Sequence, residues 1–405
     1  MAASASSLKD PNSEYADRSS PLKQHQEHPT ALPADCRYFA NQAPAGGILM
    51  CQRPQAVAKK GEHLGSGPSL AQVYNAHYSG GFVDVAAHRL IVAAYHGGSA
   101  EARGAVVAVC LRTGDRTVIS GAYAGEGGKQ LERGAGPSFH HVIDVRAGTD
   151  GFLYAFSVPK EPTAQEIVRV CPESGDRVLV WKSRDARFGQ LCASDAKKTP
   201  VQTHSQGFAV APDGGFYLGI ANPMTGRGLV HVSCDGSEVK PISVNSNDAT
   251  LKRGEGPEIR GFLQGFTVHK DRVYAFTTQP KQFLEIDPST GDRTLIVKGN
   301  AAGAIGERWA VWDEDHKVWW TAGLLNSVTV VAFDPATGKS FNAFKCGGPD
   351  FPWYPIAGHG PFQINSLNYG GVWKHPTEDR LLLAHDSVAI VELELFSGNS
   401  RILSL

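Results

Sequence analysis

Apolar and polar residues alternate in short runs along most of this chain, and the runs come in pairs. In the clearest pair, one run ends at Ile286, a turn of Pro, Ser, Thr, Gly and Asp follows, and the next run begins at Arg293. Alternation with a period of two residues is typical of half-buried β-strands, and Gly291 can supply the positive φ that a tight turn needs. The stretch 286–297 is therefore predicted to be a β-hairpin.

This hairpin recurs along the sequence with a long, nearly regular period. Its turn glycines are Gly114, Gly175, Gly236, Gly291, Gly338 and Gly398, in steps of 61, 61, 55, 47 and 60 residues. Upstream of each hairpin lies another pair of apolar runs, so each unit contains four strands. Units of this length and composition predict the blades of a β-propeller.

Six units can be counted from about residue 80 to Leu405, which predicts an all-β, six-bladed β-propeller. A seven-bladed propeller is the alternative, because Gly46–Cys51 has the composition of a strand that could belong to a degenerate extra blade. We favour six blades, since the run at Ser400–Leu405 completes the last unit by itself.

A second motif, Gly-x-Gly-Pro, stands shortly before several of the inner strands. Its copies begin at Gly65, Gly134, Gly254 and Gly358. A phosphate-binding loop would need a strand before it and a helix after it, and neither is predicted here. Glycine for tight turning and proline to end strand pairing indicate a connector between blades.

The Thr-Gly-Asp-Arg-Thr hairpin, followed by Gly-x-Gly-Pro and an inner strand, resembles the repeat of NHL-type propellers. The wider group that it resembles includes the gluconolactonase, senescence-marker-protein and strictosidine-synthase-like six-bladed propellers. The resemblance covers about residues 65–405 and implies the architecture. It does not imply an activity, because these motifs are turn chemistry.

The N-terminal part of the chain differs from the repeats. Residues 1–35 are rich in Ser, Ala, Pro and charge and have no apolar core of a cleavable signal peptide, so they are predicted to be a disordered extension. Residues 36–79 are predicted to be an irregular segment that packs on or closes the propeller, which itself spans 80–405. The expected location is cytoplasmic, with non-classical export through the Ser-rich N-terminus as an alternative.

Charge and cysteine usage narrow the class of partner. Lys and Arg number 39 against 40 acidic residues, for a net charge of −1, so the sequence predicts neither a nucleic-acid partner nor a membrane surface. There are seven cysteines. Cys110, Cys171 and Cys234 fall at nearly the same hairpin position in successive blades, too far apart to bridge, so they are predicted to be reduced thiols.

Polar residues of a distinctive kind precede the inner strands. When the units are aligned by their apolar cores, these positions carry imidazole, amide and carboxylate groups instead of the Asp, Ser, Lys and Gly of ordinary turns. Inner strands surround a central channel, so these side chains are predicted to meet at its mouth. The candidate catalytic residues are His140, His141, His204 and Glu307. The candidate substrate-binding residues at this level are Gln206, Gln264, Arg260, Arg308 and Asn368.

Aromatic residues concentrate in the last two units. Trp353 and Tyr354 lie in an irregular, Pro-interrupted stretch and are predicted to stack on a sugar or another flat ligand, with a hydrophobic plug as the alternative. Alternation predicts that Trp309 and one of Trp319 and Trp320 are core residues.

His385, at the end of a second strand, is a further candidate for substrate binding. Its neighbour Asp386 is not chosen, because adjacent strand residues point to opposite faces.

Three chemical interpretations of the ring stay open. A histidine can act as general base near neutral pH, and histidine together with Glu307 could hold one divalent metal. The third is that these side chains only bond backbone groups and water in a wet channel. The lactonase-like families place calcium with Glu, Asn and Asp ligands; this ring offers Glu307 and Asn368 but chiefly His and Gln.

Motifs for a serine-hydrolase elbow, a zincin and a P-loop do not occur in the sequence. The sequence therefore predicts a propeller enzyme that acts on a small polar or carbohydrate-like substrate at the channel mouth. Its reaction would be hydrolysis or β-elimination assisted by histidine. The alternative is a non-catalytic interaction module that binds a protein or glycan partner.

Overall fold

The computed structural model describes fifteen stretches of the chain, and every regular element in them is a β-strand. The described residues are 76–96, 104–124, 130–158, 164–185, 191–194, 197–199, 203–222, 226–247, 249–279, 281–298, 309–323, 329–345, 371–385, 389–395 and 400–404. Within them, no helix is long and apolar enough to cross a lipid bilayer.

Apart from one small pair, the strands form six antiparallel units that follow one another along the chain, which we number blades 1 to 6; a parallel bridge joins blades 3 and 4 into one eight-stranded sheet. Blade 1 contains β1 (Ala76–Asp84), β2 (Arg89–His96), β3 (Gly104–Cys110), β4 (Arg116–Ala124) and β5 (Gln130–Arg133), and blade 2 contains β6 (His141–Ala147), β7 (Leu153–Val158), β8 (Glu166–Val170) and β9 (Arg177–Lys182). After a small pair, β10 (Leu191–Ser194) and β11 (Lys197–Thr199), blade 3 contains β12 (Thr203–Val210), β13 (Phe216–Asn222), β14 (Gly226–Val232) and β15 (Val239–Asn245). Blade 4 contains β16 (Arg260–His269), β17 (Arg272–Gln279), β18 (Lys281–Ile286) and β19 (Arg293–Lys298). Blade 5 contains β20 (Ala310–Asp313), β21 (Val318–Gly323), β22 (Thr329–Asp334) and β23 (Lys339–Lys345), and blade 6 contains β24 (Val372–Lys374), β25 (Arg380–His385), β26 (Ala389–Glu394) and β27 (Ser400–Ser404).

The prediction of a six-bladed, all-β propeller is confirmed. The inner strand of blade 1 begins at Ala76, four residues before the predicted domain boundary. The predictions for 1–35, and those for 36–75, lie outside the described residues.

Hydrophobic layers between neighbouring blades make up the core. Side chains of the second strand alternate between the two seams of their blade: Leu90 packs in a cluster with Leu382 and Leu403 of blade 6, whereas Ile91 packs with Val142 of blade 2. Each blade is thus covered on both faces, so consecutive residues of its middle strands are buried.

This arrangement corrects the prediction for the tryptophans of blade 5. Trp309 is buried as predicted, but Trp319 and Trp320 are both buried, at 1% and 0% exposure, and not one of the two. Alternation separates core from solvent only where one face of a sheet is wet, and β21 has a neighbouring blade on each side.

Arg177 of blade 2 fastens its hairpin to the outer edge of blade 1. Its Nε donates to Pro137 O at 2.6 Å and its Nη1 donates to Ser120 Oγ at 3.0 Å. The Ser120 hydroxyl donates in turn to Gly175 O at 2.6 Å, and Arg177 N donates to Ala135 O at 2.7 Å. The hairpin and the Gly-x-Gly-Pro connector therefore recur together because each supplies hydrogen-bond partners to the other.

The same contact joins blade 4 to blade 3. Arg293 donates from Nη1 to Ser243 Oγ at 2.7 Å and from Nε to Pro257 O at 2.6 Å, and Ser243 Oγ donates to Gly291 O at 2.6 Å. We call this arrangement of arginine, serine and hairpin glycine the seam latch.

A third seam latch closes the ring. Arg116 of blade 1 donates from Nη1 to Ser404 Oγ of blade 6 at 2.8 Å, and Ser404 Oγ donates to Gly114 O at 2.8 Å. Ser404 is completely buried. The last blade therefore meets the first through the same contact that joins blades within the ring.

We expect Ser404→Ala to lower the free energy of unfolding by about 1–3 kcal/mol, because it deprives Arg116 and the buried Gly114 carbonyl of a partner. Urea unfolding followed by tryptophan fluorescence measures this. The matched control is Ser120→Ala, at the seam between blades 1 and 2, which should cost a similar amount. A midpoint lowered by Ser120→Ala but not by Ser404→Ala would contradict closure through the latch.

The described cysteines Cys110, Cys171 and Cys234 are free thiols, in agreement with their predicted separation by a blade. Cys36 and Cys51 lie outside the described residues.

Candidate functional site

Two residues of the predicted polar ring lie side by side on adjacent inner strands. Gln206 of β12 and Gln264 of β16 are register partners in a parallel bridge that joins blades 3 and 4. Gln264 is 3% exposed. The side chain of Gln206 is not among those described, so the statement concerns its backbone position. We call the end of the channel where the inner strands begin its mouth.

The inner strands of blades 1 to 4 share an irregularity just inside the mouth. Their pairing with the second strand breaks between Tyr78 and Gly81, between Val142 and Asp144, between Thr203 and Phe208, and between Gln264 and Thr267. The breaks in blades 1, 2 and 4 leave one extra residue on the inner strand, as a β-bulge does, and the break in blade 3 leaves three; each interrupts the ladder and redirects the backbone. For brevity we call all four breaks bulges. The bulges therefore determine which residues reach the axis.

Strand pairing also gives the equivalent positions in different blades. Gly81, Val145, Phe208, Ala310 and Val372 pair with matching positions of the second strands, namely Val92, Ala155, Leu218, Thr321 and Leu383. The residues directly before the first set are Gly80, Asp144, Gly207, Trp309 and Gly371. Asp144 is therefore the only charged residue of these five.

This register differs from the alignment by apolar runs. That alignment puts Val142 level with Gly207, whereas the pairing puts Asp144 level with Gly207. The regular pairing of β6 continues to Ala147, two residues past the apolar run that ends at Val145, and periodicity does not show where the pairing ends. His141 consequently lies nearer the mouth than Gln206 and is not level with it.

Asp144 is fully buried among the inner strands of three blades. Its Oδ1 accepts Val145 N at 2.9 Å, and its Oδ2 accepts Phe208 N of blade 3 at 3.4 Å. A Cβ on Gly80 of blade 1 would lie 1.9 Å from Asp144 Oδ1, so only glycine fits there. Burial raises the pKa of Asp144 to about 6, although the charge of Arg146 and the two backbone N–H groups act to lower it.

Arg146 extends from the same strand across the axis. Its Nη2 donates to Asp144 Oδ2 at 3.0 Å and to Phe266 O of blade 4 at 3.4 Å, and its Nη1 donates to Gly81 O of blade 1 at 2.7 Å. Blades 1 and 4 lie opposite one another in a ring of six. We call Asp144 and Arg146 the axial clamp, because the pair connects blades 1, 2, 3 and 4 at the axis.

The other predicted residues have different surroundings. His140 and His141 are half-buried where β6 begins, and His141 pairs with Val158 at the end of β7. Arg260 is exposed at the start of β16 and pairs with Glu258 at 2.6 Å. His204 and His385 lie on described strands, but their side chains are not described. Five further candidates lie outside the described residues: Glu307, Arg308, Asn368, Trp353 and Tyr354.

Sequence reasoning missed the axial clamp and one exposed aromatic residue. Asp144 is an acidic residue at a level where blades 1, 3 and 6 have glycine. This difference becomes visible only when blade 2 is moved by two residues relative to the alignment by apolar runs. Phe262, on the mouth side of Gln264 in β16, is 42% exposed. Because Phe262 stands beside apolar residues, the sequence pattern does not distinguish it from a buried strand residue.

No group of three or more His, Cys, Asp or Glu side chains in the described stretches could hold a metal ion. The sequence-based metal candidates Glu307 and Asn368 fall outside those stretches. Within those stretches Asp144 is bonded to Arg146 and forms no metal-binding group with His140 or His141, so no step below uses a metal.

Comparison with known proteins supports no family assignment. No family model matches the chain, and no curated protein matches it. Among solved structures, a protein of unknown function from Bacteroides thetaiotaomicron VPI-5482 is 14% identical, with 81% of this chain and 73% of that one covered and a TM-score of 0.48. Virginiamycin B lyase from Staphylococcus aureus is 12% identical (82% and 85% covered, TM-score 0.44), and the calcium-binding protein regucalcin from Agrobacterium tumefaciens is 13% identical (79% and 86% covered, TM-score 0.38).

The fold and the axial geometry define this chain as a six-bladed β-propeller whose channel is crossed by a buried ion pair. Identity at this level does not carry an activity from those proteins to this one. Any chemistry has to be argued from the chain's own side chains.

Proposed function

We propose that this protein is an enzyme that acts on a small polar or carbohydrate-like substrate at the channel mouth, by hydrolysis or β-elimination with histidine as the proton-transfer group. The observation that carries the proposal is the parallel register of Gln206 and Gln264, which brings two amide-bearing positions together beside the axial clamp. A channel crossed by Arg146 suits a small molecule that enters and leaves by the same end.

The histidines at the start of β6 suit proton transfer in this setting. His141 precedes Asp144 by three residues, roughly 10 Å along an extended strand. That depth accommodates a sugar-sized ligand between the imidazole and the clamp. Amides of glutamine can both donate to and accept from hydroxyl groups, so Gln264 is suited to orienting such a ligand.

The test is a rate measurement on defined probes. Hydrolysis is assayed on sugar lactones and aryl esters, and β-elimination on uronate glycosides through the absorbance of the unsaturated product. His141→Ala and His204→Ala should each lower kcat about 10²- to 10⁴-fold. The control is His231→Asn, on β14, where the imidazole lies 3.1 Å from Asp213 and away from the inner strands.

Unchanged rates in folded His141→Ala, His204→Ala and Glu307→Ala variants would contradict the proposal. A folded wild-type protein that turns over none of these probes would count against an enzyme of this kind.

A second candidate function is a non-catalytic module that binds a glycan or protein partner. It is favoured by Phe262, an exposed aromatic ring on the mouth side of β16, near the exposed pair Arg260 and Glu258. On an immobilised glycan array, this function predicts binding that Phe262→Ser weakens and His141→Ala leaves unchanged. The enzymatic proposal does not predict that Phe262→Ser and His141→Ala differ in this way.

A further inference from the structure

The sheet ladder is interrupted next to Gln206 and Gln264. In β12 the pairing with β13 is interrupted from Thr203 to Phe208, and in β16 the pairing with β17 is interrupted between Gln264, which pairs with Phe276, and Thr267. Ladder hydrogen bonds normally fix a strand residue in place. Just beyond the two glutamines, other contacts have to fix the backbone.

The axial clamp provides such contacts to both bulges. Asp144 Oδ2 accepts Phe208 N, two residues beyond Gln206, and Arg146 Nη2 donates to Phe266 O, two residues beyond Gln264. Both distances are 3.4 Å, at the long end for a hydrogen bond, whereas Arg146 holds Gly81 O at 2.7 Å. The clamp is thus anchored on blade 1 and reaches blades 3 and 4 through its weakest contacts, which a small displacement breaks.

We infer that Asp144 and Arg146 are positioning residues that set the relative placement of Gln206 and Gln264. The inference rests on the proposed function, in which the two glutamines orient a substrate. Its geometry is independent of any activity. Gln165 of blade 2 also holds blade 3 beside Gln206, since its Nε2 donates to Ser205 O at 2.8 Å and its Oε1 accepts Ser205 N at 3.3 Å. The clamp adds a contact beyond each glutamine, at Phe208 N and at Phe266 O.

The experiment uses the full chain labelled with ¹⁵N-glutamine, with the backbone amide signals of Gln206 and Gln264 assigned by single Gln→Asn substitution. In Asp144→Asn, both signals should move by more than a line width. That of Gln282, which is also buried but lies on β18, should stay in place. Glu392→Gln, at a buried carboxylate of blade 6 paired with Arg380 and Arg401, is the control and should leave Gln206 and Gln264 unmoved.

A second measurement needs no variant. In the wild-type protein, the Gln206 and Gln264 signals should titrate together between about pH 5 and pH 7, as the Asp144 carboxyl ionises. Arg146 is the charged side chain that faces Asp144 within the described residues. From the adjoining strands β1, β12 and β16 the contacts come from Gly80 and Gly81, Gly207 and Phe208, and Phe266.

Signals that do not move in Asp144→Asn would overturn the inference, as would Gln206 and Gln264 signals that titrate with different midpoints in the wild type. So would an equal shift at Gln282, which would indicate a general structural change. No substrate is needed, so failure here leaves the proposed function standing, and absence of turnover leaves this inference standing.

Discussion

Gly291→Ala is expected to destabilise the protein by about 3 kcal/mol or more, the largest effect we predict for a single methyl group. Gly291 has φ of 82°, and a Cβ there would lie 2.1 Å from Ile242 O of blade 3. Left-handed backbone costs a residue with a side chain about 1–2 kcal/mol, and the contact with a carbonyl oxygen adds to it, because the hairpin of blade 4 must move away from blade 3. That movement also disturbs the bond from Ser243 Oγ to Gly291 O.

Gly338 provides the matched control. It occupies the same hairpin position in blade 5 and has φ of 66°, but an added Cβ meets no atom of the described residues within 4 Å. Gly338→Ala should therefore cost only the backbone strain, about 1 kcal/mol. The measurement is the urea midpoint of both variants. Equal losses would show that the seam tolerates the methyl group and that φ alone requires glycine.

The turn chemistry explains how much of the fold could be predicted. Gly114, Gly175 and Gly291 all have positive φ at the predicted turn, and a hairpin is determined by residues that are neighbours in sequence. Counting such hairpins predicts six blades without any knowledge of how the blades pack. The arginine and serine of each seam latch were not predicted, because the two come from different blades.

The residues at the channel axis could be predicted only in part, because they too come from different blades. Gln206 and Gln264 are aligned correctly with each other, since both precede a Gly-Phe pair. In blade 2 the pairing of β6 continues to Ala147, two residues past the apolar run that ends at Val145, so the apolar alignment selects His141 and not Asp144. The register is set by strand pairing, and a single sequence does not show how far each strand pairs.

The strands that meet there also explain why the clamp occurs once. An added Cβ would lie 1.9 Å from Asp144 Oδ1 at Gly80 and 3.1 Å from Asp144 Oδ2 at Gly207, so these two strands leave room for one carboxylate at the level of Asp144. Asp144 is therefore the single acidic residue where these three strands meet. Its arginine partner reaches the opposite blade, so a change at Arg146 should affect the ring as a whole.

Arg146→Met is expected to lower the free energy of unfolding at neutral pH by about 3–5 kcal/mol, because it leaves the Asp144 carboxyl buried without its counter-charge. The loss should depend on pH. The folded-state pKa of Asp144, about 6, lies above its ordinary 3.8, so this group already lowers stability, by about 3 kcal/mol, as pH rises from about 4 to above 6. Removing the positive charge raises that pKa further and extends the loss to higher pH.

Urea unfolding at about pH 5 and about pH 7.5 measures this, and the destabilisation by Arg146→Met should be clearly larger at the higher pH. The double variant Asp144→Asn/Arg146→Met buries no charge and is the control. It should be more stable than Arg146→Met at the higher pH, and the pH dependence due to this site should be absent. A loss in Arg146→Met that is the same at both pH values would mean that Arg146 stabilises the ring through its bonds to Gly81 and Phe266, with the charge of Asp144 contributing little.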